Sequence, residues 1–82
     1  MPPVEYYLRR ADELAQNVVN AWAINVKADN AALLTGDFES VMDRACEYRI
    51  AKSAGVGEQA ARQAFAEAYK SFEEKRANRA AG

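Results

Sequence analysis

Ile50-Ala51-Lys52-Ser53-Ala54-Gly55-Val56-Gly57-Glu58-Gln59-Ala60-Ala61-Arg62-Gln63-Ala64-Phe65 is the stretch that decides how this 82-residue chain folds. It reads as the end of one helix, a tight turn and the start of the next. Gly55 stands where a left-handed residue ends a helix without a Cβ penalty. Val56 is expected to pack beneath the turn. Ala51 and Ala61 are small, so the two helices can approach closely.

Working outward, the helix before the turn is predicted over Phe38 to about Ser53, with Asp37 as its N-cap. Its apolar face is Phe38, Val41, Met42, Ala45, Tyr48 and Ala51, widened by Cys46 and Ile50. The helix after the turn is predicted from Gly57 to Ala77. Its buried stripe is Ala61, Phe65, Ala68 and Phe72, spaced four, three and four. Residues 75–82 form a basic end expected to fray. Toward the N-terminus, Pro2 and Pro3 suit a helix entry. Val4, Tyr7, Leu8, Ala11, Leu14, Ala15, Val18, Trp22 and Val26 then recur at helical spacing, which predicts one long helix over residues 3–27. Glu5–Arg9 and Arg9–Glu13 support its first turns. Residues 28–36 have two readings. One is a short helix capped by Asp29 or Asn30, holding Ala31, Ala32, Leu33 and Leu34 and stopped by Gly36. The other is a loop whose leucines plug the core. No run alternates as a strand would, and no repeat stands out. The expected fold is therefore all-α: a single domain, 1–82, built as a small three-helix bundle with room for a short fourth helix and a helix-turn-helix-like hairpin.

Composition agrees with a folded domain, at 50% hydrophobic and 28% charged residues. A chain this short buries a modest core, so a partner or a homodimer is expected. The net charge of −1 is unevenly spread. Residues 1–43 carry three bases and seven acids (−4), and residues 44–82 carry eight bases and five acids (+3). Cys46 is the single cysteine, so no disulfide closes within the chain, as suits a reducing cytoplasm. There is no histidine, so a catalytic thiol has no imidazole base and no Cys/His metal set exists. No Gly-rich phosphate loop is present. Asp12/Glu13, Glu39/Asp43 and Glu73/Glu74 read as solvated acids. The expectation is a non-enzyme without cofactor or metal. Met1-Pro2-Pro3-Val4-Glu5 places acid where a secretory leader carries base. Leu14 to Val26, the longest uncharged window, is too short to span a bilayer. A cytoplasmic protein with no membrane partner is expected.

Ala51, Gly55 and Ala61, with Ile50, Ala54, Val56 and Ala64 at the apolar positions, resemble the helix-turn-helix of repressor-type DNA-binding proteins over residues 50–65. That resemblance implies a third helix in the major groove, where Arg62 pairs with guanine and Gln59 or Gln63 with adenine. It implies phosphate contacts from Arg44, Arg49, Lys52 and Lys70. The sequence departs from that pattern at Gly57, where such units carry a capping serine or threonine. Glu58 and Glu67 also put negative charge on the implied reading helix.

The first helix carries the other signal. Between Glu13 and Lys27 no residue is charged. A helix apolar over most of its circumference is either central in a core or covered by a partner. Val19, Ala23 and Ile24 are the expected partner surface, with Tyr6, Tyr7 and Trp22 as aromatic anchors. The competing reading lets Leu33 and Leu34 cover that face. In its size and helical build the chain resembles accessory proteins of phages and mobile elements, such as anti-CRISPR-type inhibitors and small regulators. The leading expectation is a binding protein that docks on a host protein or complex. A DNA-binding regulator and a self-associating structural subunit are the alternatives.

Overall fold

The computed structural model describes residues 2–27 and 36–81. Both readings of 28–35, including the leucines proposed to cover the first helix, lie outside the described residues. Among the described residues there are four helices and no strand: α1 (Val4–Arg9), α2 (Ala11–Lys27), α3 (Gly36–Ala54) and α4 (Glu58–Ala81). The fold is all-α, as predicted.

The helix predicted over 3–27 is two helices. The break falls at Arg10, whose backbone sits at φ −106° and ψ 12°. Neither proline nor glycine lies nearby, so the cause is tertiary. Tyr7 is 4% exposed and lies in the core. Arg62 Nε donates to the Leu8 carbonyl at 2.8 Å. In an unbroken helix that carbonyl would accept from the Asp12 N–H. The second helix then starts at once, with Leu14 N–H donating to the Arg10 carbonyl at 2.9 Å. Asp12 and Glu13 lie in its first turn, where negative charge complements the helix dipole.

The hairpin predicted at 50–65 is present. Gly55 has φ +70° and Gly57 φ +69°. Val56 N–H reaches back to the Ala51 carbonyl at 3.2 Å, as in a Schellman-type ending, and Ala61 N–H donates to the Gly57 carbonyl at 3.0 Å to open α4. Asp37–Lys75, Phe38–Phe72 and Tyr48–Phe65 are in contact across the hairpin. As one residue number rises the other falls, so α3 and α4 run antiparallel along their whole length. Asp12–Tyr48 and Trp22–Phe38 give α2 the same antiparallel course against α3. Tyr7 meets Tyr69 and Leu8 meets Arg62, so α1 lies on α4 instead. The break at Arg10 thus moves the chain from α4 to α3.

The core is Tyr7, Ala11, Leu14, Ala15 and Val18 from α1 and α2, Val41, Ala45 and Tyr48 from α3, and Phe65 and Ala66 from α4. The slab measures 38 × 31 × 17 Å. Each helix therefore keeps an outer face. On α4 the predicted stripe Ala61–Phe65–Ala68–Phe72 faces α3. A second stripe, Arg62–Ala66–Tyr69–Glu73, has the same spacing one position along and faces α1.

Besides the split of the first helix, five sequence expectations need correction. α4 continues to Ala81 rather than ending at Ala77. Asp37 lies inside the first turn of α3 rather than capping it. Val56 is 74% exposed rather than tucked under the turn. Ile50 and Val26, counted on buried faces, are 69% and 52% exposed. Ile50 is nine residues from Val41, which turns it about 180° away on a helix.

Candidate functional site

Two outer faces differ from the rest of the surface. Between Glu13 and Lys27 the exposed residues of α2 are Gln16, Asn17, Asn20, Ala23, Ile24 and Val26, none of them charged. Gln16 Nε2 donates to Asn20 Oδ1 at 2.9 Å, which satisfies two of the amides along the helix rather than outward. Ile24, at 66% exposed, is the most protruding apolar side chain of that helix. On α3 a shallow, mostly apolar depression is lined by Cys46, Arg49, Ile50, Ser53 and Ala54. A cleft between the two helices is lined by Asp12, Gln16, Tyr48, Arg49, Lys52 and Ser53. Arg49 and Ser53 border both hollows, and Gln16 borders the cleft and the α2 face. The two faces therefore form one surface, running from Ile50 and Ala54 across Arg49 and Gln16 to Ala23 and Ile24.

The charges inside that surface are largely neutralised. Asp12 Oδ1 accepts from the Tyr48 hydroxyl at 2.6 Å and pairs with Lys52 Nζ at 2.8 Å. These two hydrogen bonds hold the Asp12 carboxyl below its ordinary range. Burial, followed by the bond to Asp12, pushes the Tyr48 phenol up to about 12. Arg49 makes no ion pair among the described residues. It is a cation of this surface still available to a partner.

Of the residues expected at a protein interface, Ala23 and Ile24 are exposed and Val19 is half-buried. Trp22 is half-buried, its ring stacked on Phe38 with centroids 6.3 Å apart. Tyr6 is half-buried and lies under the Arg10 guanidinium, 5.2 Å from the ring centroid. Tyr7 is buried in the core, between Tyr6 and Tyr69.

The residues implied to contact DNA do not gather on one face. Arg44 pairs with Glu47 at 2.9 Å, Lys52 with Asp12, and Lys70 with Glu74 at 3.6 Å. Gln63 donates to Glu67 at 3.2 Å, and Gln59 is exposed. Arg62 is half-buried, with its Nε committed to Leu8. It belongs to the packing of α1 rather than to the outer surface of α4.

Sequence reasoning missed Cys46, Arg49, Ile50, Ser53 and Ala54 as one face. The signal was available: positions 46, 50 and 53, with 49 and 54 beside them, fall on the side of α3 away from Val41, Ala45 and Tyr48.

Among the described residues no group of three metal-binding side chains converges, and no helix is long and apolar enough to cross a membrane. The chain matches no family model, no curated protein and no solved structure.

Proposed function

We propose that this chain is a non-enzymatic binding protein that docks on a partner protein through the uncharged outer face of α2 and the adjoining apolar face of α3. The observation that carries this reading is the exposed, charge-free run Gln16, Asn17, Asn20, Ala23 and Ile24 in a chain with 28% charged residues. A solvated helix face ordinarily carries charge, whereas the centre of a protein interface is depleted of it. Ile24 and Ile50 serve as apolar anchors, and Arg49 as the charge that meets a carboxylate on the partner. The resemblance in type to small phage and mobile-element proteins makes a host protein or complex the expected target.

DNA recognition is the second reading, and two features disfavour it. A DNA-reading helix-turn-helix crosses its helices at about 90–120°, which lifts the second helix away from the first. Here α4 lies along α3 throughout. Moreover, three of the four implied phosphate contacts are already paired with acids.

The test is affinity capture from host extract with wild type, Ile24→Asp, Ile50→Asp and, as a control on the far side of α4, Glu67→Lys. A partner held by wild type and Glu67→Lys but lost to both isoleucine variants supports the assignment. A partner held equally by all four overturns it.

A further inference from the structure

Val4, Tyr7, Leu8, Ala11, Leu14, Ala15 and Val18 keep one helical phase across the break at Arg10, and no glycine or proline occurs between residues 4 and 27. The local sequence therefore favours a straight helix, and contacts at longer range hold it bent. They bury Tyr7 in the core and pack Val4, Tyr6 and Leu8 against it. The Tyr7 ring meets the Tyr69 ring at 5.7 Å. Arg62 Nε holds the Leu8 carbonyl at 2.8 Å. Arg10 makes local contacts, to the Tyr6 hydroxyl four residues back and to Glu13 Oε1 at 3.0 Å three residues on, at spacings that a continuous helix also allows. The first two contacts join α1 to the Arg62–Ala66–Tyr69–Glu73 stripe of α4. Neither depends on which copy of the chain supplies α1.

We propose that Arg10 is a hinge, and that this stripe of α4 is a binding surface for α1 of a second copy of the chain. Straightening at Arg10 joins Val4 to Lys27 in one helix about 36 Å long. It withdraws Tyr7 from its own α4. Each copy then places α1 on the other's α4, and the pair closes by two-fold exchange. In the bent form the Leu8 carbonyl accepts from the cap N–H at Arg10 and from Arg62, and in the straight form from the Asp12 N–H. Arg62 is thus one residue that favours the bent monomer. The exchange leaves the α2–α3 surface of each copy unchanged, so it is independent of partner docking.

Spin labels at Glu5 and Asn20, both exposed, in a Cys46→Ser background report the hinge directly. A continuous helix sets their backbones about 22 Å apart within one chain, and any bend shortens that distance. Doubly labelled chain diluted into unlabelled chain keeps the reading intramolecular. We expect a monomer with the short distance at micromolar concentration. At millimolar concentration, after warming, we expect a dimer with the long distance that persists on dilution. Arg62→Met should raise the dimer fraction at least fivefold. Arg10→Gly, which weakens a continuous helix at the hinge, should suppress it. A chain that stays monomeric at millimolar concentration overturns the proposal, as does a dimer that keeps the short distance. The wild-type distance decides the matter by itself should either variant fail to fold.

Discussion

Tyr48 shows how one side chain serves both packing and polarity. Its ring stacks on Phe65 with centroids 6.2 Å apart, and its hydroxyl donates to Asp12 at 2.6 Å. Tyr48→Phe keeps the ring and removes the donor. Thermal and urea unfolding should register a loss of about 1–2 kcal/mol, at the low end for a hydrogen bond to a charged group because the Asp12 side chain is 60% exposed. The same pair sets two pH limits. Asp12 titrates below the ordinary carboxylate range in the folded chain. Its contribution to stability is therefore complete above the ordinary value and fades as pH falls through the depressed one. Tyr48 behaves in the opposite sense. Its phenol, raised to about 12, contributes fully below the ordinary value of 10.0, and that contribution fades as pH rises toward about 12. Urea midpoints measured from acid to alkali should fall at both ends, and Asp12→Asn should flatten the acid limb. Tyr48 was readable as a core position from its spacing. Its partner was not, because Asp12 stands 36 residues away and pairs only once α2 lies against α3.

At the scale of the helices, the hairpin was the most legible feature. Gly55 and the alanines around it define a turn by local chemistry alone. A Cβ at Gly55 would meet no atom within 4 Å, so its φ of +70° is the sole obstacle to substitution. Gly55→Ala should therefore cost about 1–2 kcal/mol of conformational energy, with Gly55→Asn costing less. Equal stability of the three proteins in urea would contradict that account. The break at Arg10 was not legible. Helical phase runs through it, and the groups that enforce it, Arg62 and Tyr69, lie more than fifty residues downstream. The second stripe of α4 was hidden for a related reason. Arg62 and Glu73 bound it, and charged residues at both ends mark a solvated face until another helix is placed there. Tyr7 shows the same effect in reverse: read as an interface anchor, it fills the seat that this stripe provides. The proposed docking surface was half legible. The missing charges of α2 were plain in the sequence, whereas the α3 contribution required the phase of Ile50 relative to Val41. Since Ile24 and Ile50 are 66% and 69% exposed, Ile24→Asp and Ile50→Asp should leave the unfolding free energy within about 0.5 kcal/mol of wild type. Partner capture and unfolding must therefore respond differently to these variants. A shared loss would mean that the isoleucines belong to the fold.

For the molecule as a whole, the distribution of paired charge discriminates most sharply between the two readings. The C-terminal half carries the positive excess that an anionic partner requires, yet folding spends much of it. Lys52 reaches Asp12 on α2 and Lys75 reaches Asp37 on α3, while Arg44, Lys70 and Arg76 pair with acids on their own helices. The acidic N-terminal half thus supplies some of the counterions that a nucleic acid would otherwise displace. Binding to duplex DNA releases about 0.9 ions for each phosphate neutralised, so the slope of log affinity against log salt counts the cations engaged. Of the four implied phosphate contacts, Arg49 alone makes no ion pair among the described residues. A titration against mixed-sequence duplex at two salt concentrations should give weak binding with a slope of magnitude about 1 or less. A repressor-type protein with several phosphate contacts gives a slope several times larger. A steep slope here would mean that the surface ion pairs open to accept phosphate, and it would return α4 to the role of a reading helix. A shallow one leaves the uncharged α2 face as the feature that packing among the described residues does not account for.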